Sequence, residues 1–437
     1  MDTQPCTRRI ALAERMQRGI AVIPTASEVL RNGDAHYPYR YDSHFYYLTG
    51  FNEPDAVLVL IVNPDAPDAR VQSILFCREK NPEREIWDGF CYGPEAARAA
   101  FGFDAAFPID QLDDKLAELM GNQPVLFYPL GARLEWDKRI IKLRARVQAQ
   151  SRSGISAPNE VRDVRMLLDE MRLIKDSDEL ATMRQAAAIS VAAHVGAMRA
   201  TRPGRMEYEI EAELLYEFRR NGAQAPAYTS IVAGGSHACV LHYISNNAEL
   251  KDGDLLLIDA ACELNGYAAD ITRTFPVNGR FSAAQKDVYE IVLAAQAAAI
   301  AAAHPGAHWN QPHEGAVRVL AQGMIDLKLC RGTLDAVLET GDYRRFYMHR
   351  TGHWLGMDVH DVGAYKADGG WRALQPGMVL TIEPGCYIRP ADDVPESLWN
   401  IGIRIEDDVV ITSAECEVLT AAAPKTVAAI EEVMRPA

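Results

Sequence analysis

The chain predicts an α/β N-terminal domain followed by an α+β C-terminal domain with internal pseudo-two-fold symmetry. Three observations carry that expectation. Short apolar strands alternate with helical stretches through the first third of the 437 residues, whereas amphipathic, often alanine-rich helices dominate from Asp176 onward. The frame Gly253-Asp-Leu-Leu-Leu-Ile-Asp259 then recurs as Gly377-Met-Val-Leu-Thr-Ile-Glu383, with glycine, apolar strand and terminal acid at the same offset. A chain of this length exceeds one ordinary core, so two domains are expected, residues 1–173 and 174–437.

In chain order, Arg8–Arg18 has a helical pattern and Ile20–Pro24 reads as a first strand. The ring-rich stretch Arg40–Gly50 reads as packing, or as an interface or substrate rim. Ala56–Asn63 and Ser73–Cys77 read as buried strands, and Arg84–Gly89 carries an exposed tryptophan, Trp87. Ala96–Gly102, Gln111–Met120 and Leu134–Gln148 read as helices, with a strand at Pro124–Tyr128. The domain boundary is expected at Val161–Lys175, because Asp176-Ser-Asp-Glu179 is a capping sequence that opens a new helix over Glu179–Ala200. A helix over Met206–Arg220 is closed by Asn221-Gly222, and Ile231–His242 returns to strand character. Its glycine pair, Gly234-Gly235, lacks a phosphate-loop lysine and reads as a turn. Ser282-Ala-Ala-Gln285 is a second capping box, opening a helix that runs to His304-Pro305-Gly306, and a further helix covers Pro312–Leu327.

The stretch Gly253–Thr274 reads as a β-hairpin carrying two acids. Asn265-Gly266 is a type I′ turn dipeptide, and counting back from it Leu264 faces Tyr267 and Ala261 faces Asp270. Asp259 shares that face, so its carboxylate and that of Asp270 are diagonal neighbours with backbones roughly 7 to 8 Å apart. Glu383 occupies the equivalent place in the second frame. In Asn400–Glu406 strand alternation puts Gly402, Arg404 and Glu406 on one face. Buried unpaired carboxylates are too costly to keep ionised without a cation, which points to metal. Between the two frames, His349-Arg-Thr-Gly-His353 through His360 supplies the clustered imidazoles. Four acids and a histidine suit a dinuclear site.

A net charge of −15 disfavours nucleic acid and anionic membrane as partners, and no apolar run approaches the length of a membrane span. Met1–Arg9 has no apolar signal core, so the cytoplasm is the expected location. Eight single cysteines without Cys-x-x-Cys spacing indicate reduced core thiols; Cys262, three residues past Asp259, is turned by strand parity to the opposite face.

With these residues in view, the C-terminal domain resembles the pita-bread metallopeptidases, and the whole chain resembles bacterial aminopeptidase P, the Xaa-Pro aminopeptidases. The resemblance implies metal ligands Asp259, Asp270, His353, Glu383 and Glu406, with Asp270 and Glu406 bridging two divalent ions. Manganese is the expected metal, because four carboxylates and one imidazole form a hard, oxygen-rich set. It further implies attack on the Xaa-Pro bond by a metal-bridging hydroxide, with Glu383 accepting a proton, His242 and His360 donating to the oxyanion and Arg404 buttressing the site. Substrate contacts are expected from His349, Trp354 and, from a neighbouring subunit of a homo-oligomer (dimer or tetramer), Trp87. Leu355 and Tyr387 are further candidates for the proline pocket. The partners are peptides with proline second. A prolidase-type dipeptidase is the alternative, for which Arg350 or Arg404 could clamp the free carboxylate; a creatinase-like hydrolase and a non-enzymatic binding protein fit less well, since all five ligands are present.

Overall fold

The structure is a computed structural model that describes residues 4–66 and 70–435, so the first residues of the stretch read for a signal core lie outside the described residues. The chain forms two compact units, Met1–Met171 and Arg172–Ala437, and the division falls within the helix Arg165–Leu173.

The first unit is built on a six-stranded mixed sheet. Gly19–Pro24, Val57–Val62 and Val71–Cys77 are antiparallel neighbours, and Ala105–Pro108, Val125–Phe127 and Glu160–Arg162 add in parallel at the two sides. Gly19–Pro24 and Val57–Val62 are buried along their whole length, which explains their unbroken apolar runs. The helices Leu112–Met120 and Leu134–Gln148 cover one face through Leu116, Met120, Ile140 and Leu143. The ring-rich stretch is a helix, Ser43–Thr49, capped by the Asp42 side chain on Phe45 N and stopped by Gly50 in the left-handed region. Phe45 and Tyr47 are buried within the unit, so packing accounts for those rings. Trp87 lies on the helix Pro82–Asp88 and is 87% exposed; it is not isolated, since Ile86 and Phe90 beside it are exposed too.

The second unit repeats one plan. A helix pair, Ser177–Ala200 and Glu207–Arg220, precedes the strands Leu255–Asp259 and Thr272–Pro276; a second pair, Ala283–Ala302 and Gln311–Asp326, precedes Val379–Ile382 and Asp407–Ile411. The expected capping boxes form. Asp176 accepts from Asp178 N and Glu179 N while Glu179 returns a bond to Asp176 N, and Ser282 pairs with Gln285 in the same way. Glu179 uses its other oxygen on the Tyr267 hydroxyl at 2.8 Å, tying the first helix to the hairpin. The second helix pair is close-packed: a Cβ at Gly323 would stand 2.4 Å from Ile291 Cγ2. The segment Ile231–His242 keeps strand geometry only over Ile231–Gly234, after which Gly235, at φ 56°, turns the chain into a short 3₁₀ helix ending at Cys239.

The hairpin register is the expected one. Leu264 faces Tyr267, Asp259 faces Thr272, and Asn265 and Gly266 both have positive φ, as a type I′ turn requires. Both ladders, however, are interrupted where the acids sit. The first breaks between the pairs Asp259–Thr272 and Glu263–Ala268, leaving Asp270 outside a strand; the second breaks between Ile382–Asp407 and Gly385–Arg404, leaving Glu383 and Glu406 outside strands. In-register backbone bonds still cross each gap, from Ala260 N to the Ile271 carbonyl and Ala269 N to the Cys262 carbonyl in the first and from Ile405 N to the Pro384 carbonyl in the second.

Candidate metal centre

Asp259, Asp270, His353, Glu383 and Glu406 all line one cleft of about 690 Å³ in the second unit, together with His242, His349, His360 and Arg404. Within it, single donor atoms of Asp270, His353 and Glu406 lie within 4.8 Å of one another, close enough to share an ion. The Tyr228 hydroxyl stands 2.5 Å from both Asp259 Oδ1 and Asp270 Oδ1. Glu406 accepts from the Thr272 hydroxyl at 2.6 Å. Asp259 Oδ2 accepts from the Arg404 guanidinium at 2.6 Å. Glu383 Oε1 lies 3.8 Å from His353 Nε2. His353 Nδ1 donates to the Trp354 carbonyl at 2.9 Å, which fixes the ring and leaves Nε2 facing the carboxylates.

The electrostatics of this cluster fit a cation. Burial is the main cause that pushes all three acids up: Asp270 with the Asp259 charge adding to it, Glu383 to about 7, and Glu406, with Asp270 and Glu383 adding, well above the usual carboxylate range. Arg404 supplies fixed positive charge to Asp259, Glu383 and Glu406, and His353 faces Asp270 and Glu383. A divalent ion removes the mutual repulsion, and the donor set of carboxylate oxygens and one imidazole suits a hard or borderline metal.

Around the ligands, burial pushes the His349 imidazole down to about 4, with the Arg404 charge adding; its Nε2 is 2.8 Å from the Tyr387 hydroxyl. Burial and the charges of His353 and His242 lower His360, whose ring meets that of His353 edge-on at 4.4 Å. Arg404 is committed to Asp259, the Tyr387 hydroxyl and the Thr272 hydroxyl. All three of its guanidinium nitrogens thus already have partners within the protein. Arg350 stands at the cleft rim, over the Trp371 ring at 5.2 Å and donating to Asn310 Oδ1.

Trp354 needs correction. Far from contacting substrate, it is fully buried, stacked on Tyr365 at 5.6 Å and packed on Trp309, because the strand-like residues after His353 point their apolar side chains into the core. Leu355 is likewise buried. Trp309, Tyr365 and Trp371 are among the aromatic rings that do line the cleft. These, with Tyr228 and Thr272, escaped the sequence reading, since nothing marks Trp309 or Tyr228 locally; Thr272 alone carried a signal, as the residue paired with Asp259. Cys262 faces away as expected, its sulfur 3.5 Å from the Ser190 hydroxyl. Trp87 belongs to the first unit.

A family model described as metallopeptidase family M24 matches residues 181–413, and one described as aminopeptidase P, N-terminal domain, matches residues 6–127. The Xaa-Pro aminopeptidase of Escherichia coli is 44% identical over 428 residues, covering 98% of this chain and 96% of that protein. The structure of Pseudomonas aeruginosa aminopeptidase PepP superposes with a TM-score of 0.96 at 50% identity, covering 99% of this chain and 97% of the other. Zinc-substituted E. coli aminopeptidase P in complex with product gives a TM-score of 0.96 at 43% identity, covering 99% and 98%. The second unit thus has the pita-bread fold and the first the matching N-terminal fold. This chain belongs to metallopeptidase family M24, in its aminopeptidase P branch.

Proposed function

We propose that this protein is an Xaa-Pro aminopeptidase that removes the N-terminal residue of peptides whose second residue is proline, and that it holds two divalent ions, manganese in the native state, on Asp259, Asp270, His353, Glu383 and Glu406. The single observation that carries the reading is the convergence of these five residues in one cleft, in a chain alike over its whole length to Xaa-Pro aminopeptidases. Bound ions would supply Lewis-acid activation of water and of the scissile carbonyl. Glu383 takes the proton of the attacking water and returns it to the prolyl nitrogen. His242 and His360, which both line the cleft, donate to the oxyanion, while His349, oriented by Tyr387, holds the substrate backbone. A tertiary Xaa-Pro amide offers no N–H, so an apolar and aromatic wall of Trp309, Tyr365, Trp371 and Ile244 suits the ring better than a hydrogen-bonding subsite.

The prolidase reading is not favoured, because its clamp would have to be Arg404, which is already occupied, or the rim residue Arg350. No helix of the described residues is long and apolar enough to cross a membrane. A cytoplasmic, homo-oligomeric enzyme fits the acidic chain, with Trp87 as the contact anchor reaching a neighbouring subunit's cleft. Sedimentation at micromolar concentration is expected to give a dimer or tetramer and Trp87→Ala to weaken it; a wild-type monomer would remove that contact.

Alanine at His242 or His360 is expected to leave the metal content unchanged while kcat falls by about 10²-fold or more, as when an oxyanion donor is lost. Elemental analysis beside steady-state kinetics checks this. Lost metal would make either histidine a ligand, and normal turnover would make it structural.

A further inference from the structure

His242 lies in the segment 240–247, which has no regular secondary structure and whose neighbours Val240 and Ile244 are exposed. No hydrogen bond of the His242 ring appears among the described residues, so its position has to be set by what holds the residues around it. The polar part of that hold runs largely through one side chain. Glu207 is the first residue of the helix Glu207–Arg220 and is fully buried. Its Oε1 accepts from Gly234 N at 2.8 Å and faces His237 Nδ1 at 3.1 Å. Its Oε2 accepts from the Tyr243 hydroxyl at 2.8 Å and from Ala248 N at 2.9 Å. The backbone N–H of Glu207 donates to the Ala248 carbonyl at 2.9 Å. His237 and Tyr243 stack across the segment with ring centroids 4.2 Å apart. One carboxylate thereby binds both ends of the segment 234–248 and the residue next to His242.

An apolar core could fill this space, and a buried carboxylate is costly unless every lone pair is met, as here. Its place at a helix N-terminus also favours negative charge. Other restraints are the Asn246 side chain, which spans Val232 N and Ser230 O, Arg389 on the Cys239 carbonyl, and the apolar packing of Leu241 and Tyr243 on Ile231, Leu257 and Tyr387. Among the polar side chains of the described residues, Glu207 is the one that ties Tyr243 to both ends of the segment. We propose that Glu207 is a positioning residue for the reaction, setting the place of His242 in the cleft through the Tyr243 hydroxyl and the backbone of Gly234 and Ala248. This rests on His242 acting on the substrate, as argued above.

Glu207→Gln keeps the volume but turns an amide N–H toward groups that are themselves donors. The test is a double-mutant cycle on an Xaa-Pro-Yaa tripeptide with Glu207→Gln, His242→Ala and the double variant, recording kcat, KM and metal content. Glu207→Gln is expected to lower kcat by about 10-fold to 10²-fold, the cost of misplacing a catalytic group by about 1 Å, with KM and metal content little changed. The double variant is expected to be no slower than His242→Ala within about 3-fold, because Glu207 has nothing left to position. Losses that multiply, or normal kcat in Glu207→Gln, would overturn the proposal. Normal kcat in His242→Ala would instead overturn the role of His242 itself. Should Glu207→Gln fail to fold, Tyr243→Phe, which deletes one hydroxyl, takes its place in the cycle: coupling to His242→Ala supports the proposal and multiplication overturns it.

Discussion

Asp270→Asn is expected to remove metal and to lower kcat/KM by about 10³-fold or more, since loss of Lewis-acid assistance costs several kcal/mol and each 1.4 kcal/mol is about tenfold. Asp270 is where the interactions of the cluster meet: His353 Nε2 is 3.4 Å from Oδ2, the Tyr228 hydroxyl is on Oδ1, and its backbone N–H is held by Asp408 Oδ2 at 3.0 Å. Glu406→Gln is expected to behave alike. Asp259→Asn should be milder, because Arg404 and Tyr228 already engage both of its oxygens and it shares no three-residue cluster with the imidazole. Metal content by elemental analysis and kcat/KM of the three variants rank them. Two ions retained in Asp270→Asn would contradict the assignment.

The second large effect lies behind His360. Asp361 is buried and accepts from Arg172 at 2.5 Å and from Lys175 at 2.8 Å, while its backbone N–H donates to the Trp354 carbonyl. This knot joins the start of the second unit to the loop that carries His353 and His360. Gly356 is obligatory beside it, since a Cβ there would stand 2.1 Å from Asp361 Oδ2. Asp361→Asn leaves two cations with one charged partner fewer in the interior, which is expected to cost about 3–5 kcal/mol of stability. Burial alone would raise the Asp361 carboxyl, but Lys175 and Arg172 hold it below its ordinary 3.8. A depressed carboxyl contributes its stability above the unfolded-state value and loses it as pH falls through the folded one. The wild type is therefore expected to lose this contribution below about pH 3.8, and Asp361→Asn to show a shallower decline there; calorimetric melting of both proteins from pH 7 downward measures it. Equal melting temperatures at pH 7 would mean that the knot adds nothing.

Much of the site was legible because strand parity and a type I′ turn constrain register strongly. Asn265-Gly266 placed Asp259 and Asp270 on one face, and the repeated glycine-to-acid frame located Glu383. The ladder interruptions at Asp270, Glu383 and Glu406 were not legible, since the apolar pattern runs on through them. Trp354 misled for a related reason: adjacency to His353 says nothing about which way the next side chain points, and here it points inward onto Trp309. The cleft's aromatic lining and the Tyr228 hydroxyl arrive from segments distant in sequence, where only tertiary packing gives a residue its role. Helices announced themselves by their caps at Asp176 and Ser282. The strand Glu160–Arg162, short and exposed at a sheet edge, carries no apolar pattern and was missed.

Proline-directed exopeptidase activity is tested most directly by giving the manganese-loaded protein an Xaa-Pro-Yaa tripeptide and an Xaa-Pro dipeptide in parallel and identifying the products by mass. Free Xaa and Pro-Yaa are expected from the tripeptide, with activity lost on chelation and restored by manganese. Cleavage of the dipeptide alone would make the enzyme a dipeptidase and contradict the account.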